Sequence, residues 1–553
     1  MPNPGSRFPC NTGGYQAEYV IGPYGGIVTR RLSTAALFLA LASVASAQDH
    51  VHPSSAADEK LGNVHFETSC NTGVAARFDR AIALLHSFEF GAAIKGFNDV
   101  LAADSSCAMA HWGLALSRWS NPMAAGGRSP EQLRQGKSAV EAARRSAARA
   151  SDRERAYIEA VAQLYDDFEN VAQRDRIAAY ERAMRDLVAK QPADTEAKIF
   201  HAISLVAAAS PTDKTYANQR TAGSVLEPLW KKYPNHPGLA HYIIHTYDYP
   251  ALAPEASAAA HGYASIAPSA AHALHMPSHI FTRTGLWRES IDTNLRSIEV
   301  AKGTASIAEA LHALDYAEYA YLQMRRDSAA KAIVDQLPAL EARFDVNAVT
   351  GAAPGWAGVF AIAAIPARYA LERDAWAEAA VLQPESSAFP WTEAMTHFAR
   401  ALGASHTGDF AKARGSIDSL AAIRDRLAAR SEPYWSEQVA IQHLGAQAWL
   451  DLFEGRVDSA LARMREAATR EDATEKNAVT PGPLAPAREL LADMLMKVPK
   501  PADALSEYQR TLAKEPNRYR SLAGGVRAAA AAGNRAVEAD LSAKLKALTL
   551  GKT

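Results

Sequence analysis

The stretch HYIIHTYDYPALAPEASAAAHGYASIAPSAAHALHMPSH, residues 241–279, decides how the whole chain is read. It carries two His-x-x-x-His pairs, His241 with His245 and His275 with His279. Residues four apart on a helix share one face, so each pair points a single way from its own helix. The second pair follows the first by 34 residues, a period at which two-helix units stack into a solenoid. Equivalent positions of neighbouring units therefore carry imidazole twice over.

Outward from that stretch the helical period continues in both directions. Gly285-Leu286-Trp287-Arg288-Glu289-Ser290-Ile291 supplies a turn glycine, an aromatic and small residues that let a second helix close on the first. Phe90, Ala93 and Phe97 repeat that pattern earlier, from about Phe78 on, and similar units recur at Gly408 to Ala413, Gly455 to Ala460 and Ala504 to Pro516. These motifs resemble the tetratricopeptide repeat superfamily along most of residues 75–545. Leu84-Leu85-His86-Ser87-Phe88, Cys107-Ala108-Met109-Ala110 with Trp112-Gly113, and His275-Met276-Pro277-Ser278-His279-Ile280-Phe281 are similar to a group of exported, largely uncharacterised bacterial members of it. The resemblance implies an all-α fold, a right-handed α-solenoid of antiparallel helix pairs with a concave groove. It implies no particular activity. Residues 75–345 are expected to form an N-terminal block with the His-rich groove and 346–549 a C-terminal block, with no independent domains cut between them.

The N-terminus reads as an export signal. Arg30-Arg31 precedes the apolar run Leu32 to Val44, and Ala45-Ser46-Ala47 closes residues 1–47 with a cleavage site. Residues 1–29 are unlike the basic front of such a signal, and since no Met follows Met1 until Met109, Val28 read from an alternative start codon is a possible true start. A flexible leader is expected at 48–74, and no transmembrane segment in the mature chain. A new terminus Gln48-Asp49-His50 could bind Cu(II) or Ni(II) unless Gln48 cyclises. The destination is the periplasm or the exterior, where the surviving Cys70 and Cys107 suit a disulfide, the alternative being two buried thiols. Lys and Arg number 59 against 60 Asp and Glu, a net charge of −1 without the basic stripe of a nucleic-acid binder, so nucleic acid is not expected as a partner.

In tetratricopeptide proteins, positions two, five, nine and twelve of the first helix line the groove. The resemblance thus places His241 and His275 at five, His245 and His279 at nine, His272 at two and Asp248 at twelve. The next unit offers His312, Asp315 and Tyr319 at two, five and nine. Packed helices about 8–10 Å apart would let facing imidazoles converge on one ion, and such nitrogens suit Zn, Cu, Ni or Fe. The same histidines could instead pack, or grip a carboxylate without metal. His272, His312, Asp315, Tyr319 and Asp248 are the candidates for lining a ligand groove, and His241, His245, His275 and His279 for holding a metal. No His-Glu-x-x-His helix, Gly-x-Ser-x-Gly elbow or Gly-x-Gly-x-x-Gly loop is present. The leading expectation is an exported interaction protein whose groove binds a protein segment, peptide or small ligand, organised in part by a transition metal. The alternative is a metalloenzyme using the same histidines for hydrolytic or redox work.

Overall fold

A computed structural model describes residues 59–123, 127–210 and 212–550. The expected export signal, the start near Val28 and the front of the leader lie outside the described residues. Within them the chain is helix and connection, with no strand, and forms an α-solenoid of antiparallel helix pairs. None of these helices is long and apolar enough to cross a membrane.

Local chemistry sets the helix ends. Pro130, Pro237, Pro390, Pro433 and Pro501 each open a helix, where their fixed φ is pre-set and their missing N–H costs nothing. Gly285 ends the helix Pro277–Thr284 in the left-handed region at φ +71. A Cβ there would stand 2.3 Å from the Pro516 carbonyl oxygen, so glycine is needed for a distant segment to approach. Pro277 does more than bend its helix. It divides it into Ala271–His275 and Pro277–Thr284, and the His279 N–H reaches the Met276 carbonyl at 3.1 Å, a tighter turn.

The small residues of the partner helix Trp287–Gly303 do what their size allows. Ser297 Oγ donates to the Ala271 carbonyl at 2.8 Å and Thr293 Oγ1 to that of Leu274, holding the two helices close. Two large apolar clusters, one around Phe97 and Trp112 and one around Trp391 and Trp449, make up most of the core, and a smaller one surrounds Leu311, Leu314 and Ile333.

Two features depart from a plain open array. The described part of the expected flexible leader, 59–74, is docked, because Phe66 is buried among aromatic rings. Its ring sits 5.3 Å from both Trp112 and Tyr157, and the Asn63 N–H reaches the Asn235 carbonyl at 2.9 Å. A disulfide joins Cys70 to Cys107 at the start of the helix Ala108–Trp119. The second departure is long-range. Residues 475–480 lie against the groove helices, with Lys476 Nζ 3.2 Å from Asp248 Oδ2 and the Tyr316 hydroxyl donating to the Thr480 carbonyl at 3.1 Å. Trp287 Nε1 likewise donates to the Asn517 carbonyl at 2.9 Å.

Candidate metal centre

The helix Pro237–Tyr247 presents His241 and His245, and Ala271–His275 adds His272. One nitrogen of each of these three lies within 4.8 Å of the others. An ion equidistant from three atoms at that limit would be about 2.8 Å from each, so a small inward shift reaches the roughly 2.1 Å of a metal–imidazole bond. His275, His279 and His312 form a second triad to the same tolerance, the last from the helix Ile307–Gln323. All six rings are buried.

The sequence expectation put the two His pairs around one ion, with His272 and His312 as separate groove residues. The structure groups them differently. Each pair takes its third nitrogen from the first helix of the next unit, because position two of that helix is one turn before position five and shares its face.

Hydrogen bonds fix which nitrogen of each ring is free. His241 Nδ1 is 2.6 Å from the His86 carbonyl oxygen, which can only accept. His272 Nδ1 is 3.0 Å from Glu309 Oε1. Burial opposes that carboxylate's charge, but His272, His275 and the Ala353 N–H hold Glu309 down at about 2, so it too accepts. Both rings therefore carry their proton on Nδ1. The Nε2 atoms of His241, His245 and His272 are buried and have no hydrogen-bond partner. Phe88 packs on this triad, its centroid 4.4 Å from that of His241.

In the second triad the accounting is tighter. Asn294 Nδ2 donates to the Ser290 carbonyl at 2.6 Å, so its Oδ1 faces His275 Nδ1 at 2.7 Å as an acceptor. His279 Nδ1 donates to Asp248 Oδ2 at 2.9 Å. Although burial works against it, Lys476, Arg283 and His279 keep Asp248 well below the usual carboxylate range. With both Nδ1 atoms donating, the Nε2 lone pairs of His275 and His279 meet at 3.0 Å. Burial and the charge of His279 push His275 down to about 3, and burial pushes His279 to about 4 against the pull of Asp248. Both rings are thus neutral near pH 7. Burial also takes His241, His245 and His312 well below the ordinary imidazole range, and His312 Nδ1 has no partner.

The other groove candidates are engaged elsewhere. Asp315 is fully buried against Arg368, whose charge only partly offsets the burial that raises its pKa. The Tyr319 hydroxyl takes a hydrogen bond from Arg518 at 2.8 Å and donates to Glu515 at 3.1 Å. Glu489 and Asp493, further along the chain, are bonded to Arg518 and Arg520. Asp248 does lie at the centre, as the carboxylate behind His279.

A third set was missed. His86 Nε2 and His236 Nε2 sit 2.9 Å from the two oxygens of Glu196. Tyr242 reaches His86 Nδ1 at 3.1 Å, while His236 Nδ1 is buried without a hydrogen-bond partner, and the set supports His241 through the His86 carbonyl. Its signal was the His86 and His236 imidazoles outside the repeat frame. On the outer side of Asp248, Arg283 and Lys476 also line an aromatic cleft with Trp287, Tyr434 and Trp435.

No protein-family model matches the chain, and no curated protein matches it. Among solved structures it is similar to the human IFIT1 dimer with m7Gppp-AAAA, at 10% identity over 80% of this chain and 90% of that one, with a TM-score of 0.36. It is also similar to yeast Tom70, at 14% identity over 85% and 98% of the two chains, again with a TM-score of 0.36. Likeness of that degree bears on neither site nor ligand.

Proposed function

We propose that this helical-repeat protein is a transition-metal protein whose ion is held by the buried imidazoles of the former groove. The observation that carries the reading is the pair of Nε2 lone pairs, His275 and His279, meeting at 3.0 Å with both Nδ1 protons committed elsewhere. Two lone pairs at that distance repel, and a cation between them turns repulsion into coordination. The carboxylates behind His272 and His279 match the usual second layer of a metal-bound histidine, fixing ring orientation and raising ligand basicity. Neutral imidazole donors favour copper or zinc over calcium or magnesium. Three protein nitrogens leave a coordination position for water or substrate, so the centre suits hydrolytic or redox work.

Binding of a protein segment at these histidines has less support, because the rings are buried and residues 475–480 lie over the same helices. Export to an oxidising compartment is part of the proposal and draws support from the Cys70–Cys107 disulfide. The experiment is elemental analysis of untagged protein, with a His275→Ala, His279→Ala double variant as control. Stoichiometric copper or zinc that the variant loses is expected, and metal-free protein that takes up none on titration overturns the reading.

A further inference from the structure

The two triads are built on one plan. Each has a His-x-x-x-His pair completed by the next unit's helix, His272 for the first and His312 for the second. Each has one ring backed by a carboxylate, Glu309 behind His272 and Asp248 behind His279. They also adjoin. The ring centroids of His272 and His275 are 6.1 Å apart and those of His245 and His279 are 6.4 Å apart, so two rings of each triad line the seam.

The charges around them are unbalanced. Asp248 has Arg283 and Lys476 as partners. Glu309 is fully buried and, among the described residues, its one ion-pair partner is His272. Glu89 takes the His272 N–H at 3.2 Å, and burial together with the charge of Glu309 raises its carboxyl to about 8, so it adds little negative charge. A buried carboxylate without a Lys or Arg partner is stabilised by positive charge arriving beside it.

Resting on the metal reading above, we propose that both triads fill together, giving a coupled pair of copper ions bridged by a solvent-derived hydroxide. Six imidazole nitrogens favour copper, which also heads the affinity order of divalent first-row ions. Each ion keeps one or more positions free after its three nitrogens, and the adjoining triads bring those positions within reach of one small ligand. Forming the bridge takes one water and releases its proton to solvent, with no change in oxidation state.

The test is Cu(II) titration of metal-free full-length protein in a His50→Ala background, which removes the copper site expected at a processed N-terminus. Copper per chain is counted and electron paramagnetic resonance is integrated for spins. Two coppers per chain with far fewer than two spins are expected. His272→Gln and His312→Gln are each expected to keep one copper with one full spin. One copper per chain, lost alike in both variants, overturns the pair and leaves a single-ion centre standing. Two coppers with two independent spins overturn the bridge, and no copper at all overturns the metal reading with it. Should a variant fail to fold by circular dichroism, the copper and spin counts of the parent protein decide.

Discussion

His275 and His279 aim their Nε2 atoms at each other across 3.0 Å while their Nδ1 atoms donate to Asn294 and Asp248. The pair is therefore built to stay unprotonated, and pH should reveal it. In the unfolded chain these rings titrate near 6.5, whereas the fold holds them at about 3 and about 4. Between those values the unfolded state binds more protons, so metal-free protein loses stability as pH falls from 6.5 toward 4. A loss on the order of a few kcal/mol is expected in urea titrations at pH 7 and 4.5, smaller in a His275→Gln, His279→Gln variant. Equal slopes for the two proteins would count against neutral rings.

Asp248 holds His279, Arg283 and Lys476 at once. Asn in its place leaves two buried cations without a counter-charge and removes the carboxylate behind His279. Metal affinity is expected to fall about 10–100-fold, with a stability loss of about 3 kcal/mol. Competition with a chelator of known affinity measures the first. Unchanged affinity would remove Asp248 from the centre.

Arg518 is fully buried and bonds Glu372 at 2.6 Å, Glu489 at 2.8 and 2.9 Å, and the Tyr319 hydroxyl at 2.8 Å. Removing the cation takes the guanidinium from buried Glu372 and leaves Glu489 to Arg520. Arg518→Met is expected to cost about 3–5 kcal/mol, read as a shift in the urea midpoint. A loss under about 1 kcal/mol would mean that protonation or water replaces the guanidinium.

The Cys70–Cys107 bridge closes a loop of 37 residues. Chain entropy alone makes such a cross-link worth about 4 kcal/mol. Cys70→Ser with Cys107→Ser is expected to lower stability by about 2–4 kcal/mol, and a reductant should do the same to the parent protein only. A variant as stable as the parent would show the loop to be ordered without its bridge.

Much of this was legible in the sequence, for physical reasons. A stacked helical unit buries one face at a fixed period, so spacing paired the histidines on shared helix faces, and the tetratricopeptide resemblance supplied their positions in the repeat. His272 and His312 were expected in the groove but not joined to the pairs, because joining them requires the offset between successive helices. Contacts from Lys476 to Asp248, or from Arg518 to Tyr319, leave no periodic trace, since each side is set by its own local packing. For the same reason Asp315 read as a groove residue when Arg368 had claimed it.

The reach of Asn517 to Trp287, and of Lys476 to Asp248, changes how the molecule should come apart. An array touching only its nearest neighbours can fray one unit at a time, each loss costing a local increment. Here the late units brace the middle ones, so peeling the C-terminal helices also unseats the imidazole centre. Shortening this chain from its end is accordingly an operation on its interior.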